Sequence, residues 1–185
     1  MTSPRRFPTP IEPTDASLVA DVRAGNAEAL GALYERYGSA LLAVAYRLLQ
    51  STADAEDVVH DVFVGLPEAL RRYEERGALT AWLRTITARV ALARIRAYDA
   101  REGLTLTEIG EPLSRQRDVE GLMSLESAMH QLTPALRAVL VLKEIEGFSH
   151  AEIAEMLNIS VGASEVRLHR AVAALRALLT RGQDA

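Results

Sequence analysis

The chain has 185 residues, of which 49% are hydrophobic and none is cysteine, so it is long enough for one medium domain or two small ones and cannot hold disulfides or thiolate metal sites. Its net charge of −4 argues against a protein that coats nucleic acid indiscriminately. No apolar run approaches the roughly 20 residues of a membrane span, and the N-terminus lacks the apolar region of a signal peptide, so we expect a cytoplasmic protein without membrane insertion.

Four helices are predicted in the first hundred residues, and no strand signal is present. The first begins at Asp15 as N-cap, and the second begins after Asn26, with apolar residues recurring every three or four positions. Thr52 is the predicted N-cap of the third helix, and the fourth runs over about 78–101. Helical periodicity returns at Leu122 and continues almost to the C-terminus. The pattern predicts an all-α fold.

Two segments lack this periodicity. Residues 1–14 contain four of the seven prolines, which is typical of a disordered leader. Residues 102–121 contain three glycines and a proline, which is typical of a flexible linker. The predicted organisation is therefore a leader, a helical domain over 15–101, a linker, and a second helical domain over 122–181.

Charge is distributed unevenly in the first domain. Residues 50–70 carry five acidic side chains and no Lys or Arg, whereas residues 71–101 carry eight arginines against three acids. Neighbouring patches of opposite sign indicate two different partners. A merely solvated helix face remains the alternative for the acidic stripe.

The segment "FSHAEIAEMLNISVGASEVRLHRA" (148–171) has the layout of a helix-turn-helix. Ser149 and Glu152 have the spacing of a capping box, Asn158 stands where the turn needs a positive φ, and Ser160 can cap the second helix. The expected inner side of that helix consists of Val161, Leu168, Ala171 and Leu175. The expected outer side, which faces a DNA major groove in this motif, consists of Ala163, Val166, Arg167 and Arg170. An ordinary helical hairpin with solvated arginines is the alternative.

Four blocks in order resemble the sigma-70 family of bacterial transcription initiation factors, specifically the small extracytoplasmic-function (ECF) group. They are "GNAEALGALYERYG", "DAEDVVHDVFVGL", "ALTAWLRTITARVAL" and "LTPALRAVLVLKEIEGFSHAEIAEMLNISVG…VRLHRA", within residues 15–101 and 122–180. The resemblance implies two small helical domains. The first, region 2, is expected to bind the polymerase clamp and to melt the −10 element. The second, region 4, is expected to bind the −35 element and the polymerase flap.

The resemblance also implies which residues make these contacts. Those expected at the −35 element are Ser160, Ala163, Ser164, Glu165, Val166, Arg167 and Arg170. Those expected at the −10 element are Tyr73, Arg76, Trp82, Arg84, Thr85, Arg89 and Arg96. Those expected at core polymerase are Asp54, Asp57, Val58, His60, Asp61 and Phe63. A core residue is the alternative for Trp82, because apolar neighbours flank it.

The implied partners are core RNA polymerase, through its clamp and flap, promoter DNA, and an anti-sigma factor that clamps between the two domains. No catalytic residue, metal, cofactor or small-molecule substrate is expected. The chain departs from the family pattern at Ala88, Arg89 and Ala93, and in the second helix of the helix-turn-helix Ser164 replaces a buried valine and Glu165 a lysine. Glu165 either faces phosphates and weakens binding, or accepts a hydrogen bond from a cytosine N4 and changes the sequence read.

Two other functions are compatible with the residues. A sigma-like protein that no longer initiates, acting as an anti-sigma decoy or a helix-turn-helix regulator, is suggested by the departures at positions 88, 93 and 165. A helical-bundle metal enzyme is suggested by the spacing of Asp57 and His60, but the set of ligands is incomplete.

Overall fold

The described part of the chain consists of helices joined by short connections and contains no strand. The structure, a computed structural model, describes residues 13–74, 78–102 and 125–181. The elements are α1 (Asp15–Arg23), α2 (Ala27–Leu49), α3 (Thr52–Arg71), α4 (Leu79–Glu102), α5 (Leu125–Gln131), α6 (Pro134–Leu140), a π-helical turn (Val141–Ile145), α7 (His150–Leu157) and α8 (Val161–Arg181). The predicted all-α class is confirmed. Most of the leader, nearly all of the linker and the candidate contact Arg76 lie outside the described residues.

The helix starts follow local capping chemistry. Asn26 caps α2 as predicted, with its side chain accepting hydrogen bonds from backbone amides of the first turn. The caps of α1 and α3 are Thr14 and Ser51, in each case one residue before the predicted Asp15 and Thr52. At both places two adjacent residues are able to cap. The first of the two has the extended backbone that an N-cap requires, so the second becomes the first helical residue.

Helices α1–α4, the N-terminal half of the described chain, surround one apolar cluster. Its fully buried members come from the stripes that the periodicity marks, with Leu33 and Leu41 on α2, Leu66 and Leu70 on α3, and Leu83 on α4. The N-cap residue predicted for α1, Asp15, instead joins α1 to α2 through a bond from the Tyr37 hydroxyl.

Helices α5–α8, the C-terminal half, pack against the N-terminal half. A second apolar cluster spans both, and combines Leu48 and Leu92 with Leu136, Val139 and Ile153. The two halves therefore share a core in this structure.

Arg137 lies inside this shared region and is only 7% exposed. Its Nε donates to the carbonyl oxygen of Leu48 at 3.1 Å, and its Nη1 donates to that of Leu132 at 3.1 Å. The Leu48 carbonyl belongs to the last turn of α2, where helix carbonyls lack intrahelical partners and the helix dipole is negative. An arginine of the C-terminal half thus completes the hydrogen bonding of a helix in the N-terminal half.

A π-helical turn interrupts the helix that begins at Pro134. The amide of Glu146 donates to the carbonyl of Val141 at 3.0 Å, which is the five-residue spacing of a π turn. Gly147 follows with a φ of 78°, a left-handed conformation that glycine adopts without strain. The chain leaves the helix here and reaches α7, and the Glu146 side chain faces the N-terminal half.

Candidate nucleic-acid and polymerase interfaces

Helices α7 and α8 form the predicted helix-turn-helix. Ser149 and Glu152 make the full capping box, with the Glu152 carboxylate accepting from the Ser149 amide at 2.8 Å. Asn158 ends α7 in the left-handed conformation with a φ of 53°. The Ser160 hydroxyl then accepts from the Ala163 amide at 3.1 Å and caps α8. All three local predictions are confirmed.

The exposed side of α8 differs in part from the predicted one. Ser160, Glu165, Val166 and Arg170 are exposed, as expected of a surface that meets DNA, and Ala163 is half-buried. Val161, which was predicted to be buried, is 46% exposed. It lies at the first position of the helix, where no preceding turn covers it.

Arg167 was predicted to face outward, and this orientation is wrong, because the residue is only 4% exposed. Ser164, Arg167 and Ala171 are spaced by three and four residues, so they share one helix stripe, and all three are buried. Among the described residues, the Arg167 Nε and Nη1 have no hydrogen-bond partner. Burial lowers the pKa of the Arg167 guanidinium from its ordinary value.

Ser164, also a candidate DNA contact, is fully buried and faces α7 rather than the outer surface. Its Oγ lies 2.9 Å from the Nδ1 of His150, the first residue of α7. The hydroxyl at a position where valine was expected is therefore satisfied by a partner in the neighbouring helix.

The acidic side of α3 contains both exposed and buried candidates. Asp57, His60 and Asp61 are exposed. Val58 and Phe63 were candidate polymerase contacts but lie in the core, because they belong to the apolar stripe of the helix. They were predicted to contact a partner directly, but the structure places them beneath the surface, where they support it.

Arg94 of α4 neutralises part of this acidic side. Its Nε lies 3.0 Å from Asp54 Oδ1, and its Nη2 lies 2.6 Å from Asp57 Oδ2. Further along α3, Glu68 pairs with Arg71 at 3.0 Å. The acidic and basic patches of the sequence are thus in contact at one end.

Two exposed apolar residues near this side were missed by the sequence reasoning. Val64 on α3 is 68% exposed, and Tyr34 on α2 is exposed with its ring edge-on to Phe63, the centroids 4.9 Å apart. The signal was available for Val64, since it lies off the apolar stripe of α3. Tyr34, by contrast, has the spacing of a core residue.

The aromatic candidates of the basic segment pack against each other with their ring planes tilted by 46°. The rings of Tyr73 and Trp82 have centroids 4.6 Å apart. Tyr73 is buried and Trp82 is half-buried, so Trp82 both packs on the core and borders solvent. With Thr85, Phe148 and other residues they line a cleft of about 410 Å³ between the two halves.

The arginine candidates of α4 contact the C-terminal half. Arg84 Nε donates to Glu146 Oε2 at 2.8 Å, Arg89 Nη2 donates to Glu155 Oε1 at 2.9 Å, and Arg96 Nη1 donates to the Met156 carbonyl at 3.0 Å. Sequence reasoning placed these residues in one group but had no means of finding these partners.

The remaining candidate on this helix, Thr85, is half-buried and turns its hydroxyl to the backbone. Its Oγ1 donates to the Ala81 carbonyl at 2.9 Å.

Within the ranges that the structure describes, no three His, Asp or Glu side chains lie close enough to hold a metal ion. No helix in these ranges is long and apolar enough to span a membrane.

Comparison with known proteins shows which family has this arrangement of helices. Residues 33–101 match the family described as Sigma-70 region 2, and residues 122–175 match Sigma-70, region 4. The chain is 32% identical to the RNA polymerase sigma factor CnrH of Cupriavidus metallidurans, over 91% of this chain and 95% of CnrH. It is 28% identical to the ECF RNA polymerase sigma factor SigM of Mycobacterium tuberculosis, over 91% of this chain and 86% of SigM.

A solved structure supports the same assignment. The structure of CnrH in complex with the cytosolic domain of CnrY matches with a TM-score of 0.54 and 30% identity, over 89% of this chain and 96% of that chain. The two family matches are consistent with the order of helices and with the helix-turn-helix. The chain belongs to the extracytoplasmic-function group of the sigma-70 family of RNA polymerase sigma factors.

Proposed function

We propose that this sigma factor binds core RNA polymerase and directs initiation at promoters whose −35 and −10 elements it contacts with α8 and α4. The observation that carries the proposal is the helix-turn-helix, in which Glu165, Val166 and Arg170 of the second helix and its cap residue Ser160 are exposed. In this motif the N-terminal part of the second helix enters the major groove. The subunit supplies recognition, and the chemistry of RNA synthesis belongs to the polymerase.

The exposed residues of α8 suit different kinds of contact. Arg170 is the cation best placed for a phosphate, a contact that positions the protein without reading sequence. Glu165 and Val166 lie beside it and are available to base edges or to a thymine methyl group. Arg167 and Ser164 support this surface from beneath in the structure, since both are buried.

The α4 segment supplies what strand separation at the −10 element requires. Arg84, Arg89 and Arg96 provide positive charge for a displaced strand, and Trp82 provides an aromatic surface for an unstacked base. In the present structure the three arginines are engaged by the C-terminal half, so their binding to DNA requires those contacts to open.

The polymerase clamp is proposed to bind the exposed side of α3. Asp57, His60 and Asp61 supply polar contacts there, and the exposed Val64 and Tyr34 supply apolar area at the same surface. Val58 and Phe63 hold this surface in shape from the core. CnrH is solved in complex with the cytosolic domain of a second protein, CnrY. By similarity we propose that this chain also binds a partner protein, and that this partner is an anti-sigma factor.

Run-off transcription with purified core polymerase and a library of promoters tests the proposal. We expect transcripts from a subset of promoters that share −35 and −10 sequences. Polymerase binding without any transcript would favour the sigma-like decoy or regulator instead.

A pair of variants tests the role of α8. Arg170→Gln removes an exposed cation within the proposed interface, and Arg176→Gln removes an exposed cation six residues further along the same helix. Each phosphate contact contributes about one to the slope of log affinity against log salt. We expect Arg170→Gln to reduce the slope for −35 duplex binding by about one and Arg176→Gln to leave it unchanged. Equal effects of the two would show that charge acts without the proposed docking geometry.

A further inference from the structure

We propose that the free chain occludes its own −10 surface through a latch formed by Arg47, Arg84 and Glu146, in which the Glu146 carboxylate holds Arg84 in place of a DNA phosphate. The inference rests on the proposed function, because it concerns how that function is restrained before polymerase binds. The latch joins α2 and α4 of the N-terminal half to the segment between α6 and α7 of the C-terminal half.

Glu146 is held by two cations at once. Its Oε2 lies 2.8 Å from Arg84 Nε and 2.5 Å from Arg84 Nη2, and its Oε1 lies 3.2 Å from Arg47 Nη1. The Glu146 side chain is fully buried, whereas the two arginines are partly exposed. One carboxylate oxygen thus accepts from two N–H groups of the Arg84 guanidinium, and the other oxygen accepts from Arg47. Arginine uses the same N–H donors to bind phosphate.

The latch continues along α4 through contacts to the end of α7. Arg89 pairs with Glu155, and Arg96 donates to the Met156 carbonyl. The last carbonyls of α7 lie at the negative end of the helix dipole, which favours a cation. Three of the arginines proposed to track the displaced strand are therefore bound to acceptors of the chain's own C-terminal half.

The latch lies on a built interface rather than on a chance surface contact. The apolar cluster formed by Leu48, Leu136 and Val139 joins the same two halves, and Arg137 reaches across to the end of α2. The π turn ends at Ile145, so the next residue, Glu146, leaves the helix axis and meets both Arg47 and Arg84.

Competition follows from this geometry. A DNA phosphate and the Glu146 carboxylate require the same guanidinium, so the strand binds only the fraction of molecules in which the latch is open. The apparent dissociation constant is the intrinsic constant divided by that fraction. Weakening the latch must therefore tighten binding of a single strand by the free chain, and polymerase binding is the event that opens it in the cell.

Two readouts on the full chain test this inference. The chain has no cysteine, so Ser39→Cys and Ala173→Cys, at exposed positions on α2 and α8, accept a fluorophore pair that reports the separation of the halves by energy transfer. A short fluorescein-labelled single DNA strand of mixed sequence, added to unlabelled chain, reports affinity. We expect Glu146→Gln to lower energy transfer and to tighten strand binding about tenfold, the loss of one charged hydrogen bond.

Two further variants separate the latch from charge alone. Glu144→Gln makes the same change in net charge at an exposed residue two positions away, and should alter neither readout by more than about twofold. Arg47→Gln removes a cation, so charge alone predicts weaker binding, whereas loss of a latch partner predicts lower energy transfer and tighter binding. Circular dichroism checks that each variant keeps its helical content, and Arg47→Gln serves if Glu146→Gln does not fold.

The outcomes distinguish this inference from the proposed function. Unchanged energy transfer and affinity in both Glu146→Gln and Arg47→Gln would overturn the latch, even with normal run-off transcription by the unmodified chain. Opening and tighter strand binding in both variants would support the latch, even if no promoter yields a transcript.

Discussion

The buried Arg137 gives a prediction that runs against the usual order of conservative substitution. Replacement by methionine, which removes the charge, should destabilise the chain less than replacement by lysine, which keeps it. Arg137 uses two hydrogen bonds from one planar group, to the carbonyls of Leu48 and Leu132. A lysine ammonium is compact and more strongly hydrated, and cannot span both carbonyls in the same way.

The structure sets the magnitudes. Two hydrogen bonds from a charged donor contribute about 3–6 kcal/mol together. Burial lowers the pKa of Arg137 well below its ordinary value, to about 10, so the guanidinium stays charged at neutral pH. That lowering corresponds to a cost of about 3 kcal/mol, at about 1.4 kcal/mol per pKa unit. Arg137→Met loses the hydrogen-bond contribution but also removes the cost of burying the charge. We therefore expect a net loss of about 0–3 kcal/mol in the free energy of unfolding.

Arg137→Lys keeps a buried charge and loses part of its hydrogen bonding, so we expect a loss of about 3–5 kcal/mol. The assay is urea unfolding at neutral pH, followed by circular dichroism and by the fluorescence of the single tryptophan. If lysine destabilises less than methionine, the charge rather than the two-carbonyl geometry stabilises the site, and the reasoning is refuted.

Two further predictions concern single carboxylates. Bonds from the Ser149 hydroxyl and amide lower the pKa of Glu152 below its ordinary value of 4.5, so the stability from this charge is present above pH 4.5 and is lost as pH falls through the lower folded pKa. The destabilisation caused by Glu152→Gln, measured as the thermal midpoint over a pH series, should therefore shrink with acidification, and a constant difference would contradict this. Glu165→Lys should steepen the salt dependence of −35 duplex binding by about one if the carboxylate faces a phosphate; a changed promoter preference at constant slope would indicate base reading instead.

The sequence predicted what is encoded locally. The capping box at Ser149, the left-handed Asn158 and the cap at Asn26 each depend on a few adjacent residues, and all three are found. The boundaries of α1 and α3 differed by one residue because two neighbouring side chains are able to cap in each case. Apolar periodicity located the cores but also contained Val58 and Phe63, which family resemblance alone had assigned to a partner surface.

The remaining features depend on contacts between distant parts of the chain. The burial of Arg167 follows from its helix stripe, but its charge favoured an outward assignment. The partners of Arg84 and Arg89 are more than sixty residues away in sequence. The π turn before Glu146 has no clear local signal, since every residue of Val141–Ile145 is compatible with an α-helix.

The apolar cluster shared by the two halves gives their association a temperature dependence. The stabilisation gained by burying apolar surface weakens on cooling, because its driving force near room temperature is largely entropic. The cost of removing charges such as Glu146 from water also falls as temperature rises. Both contributions favour the docked state in warm solution, so the halves separate more readily in the cold, and the heat capacity of the chain rises as the shared core becomes hydrated.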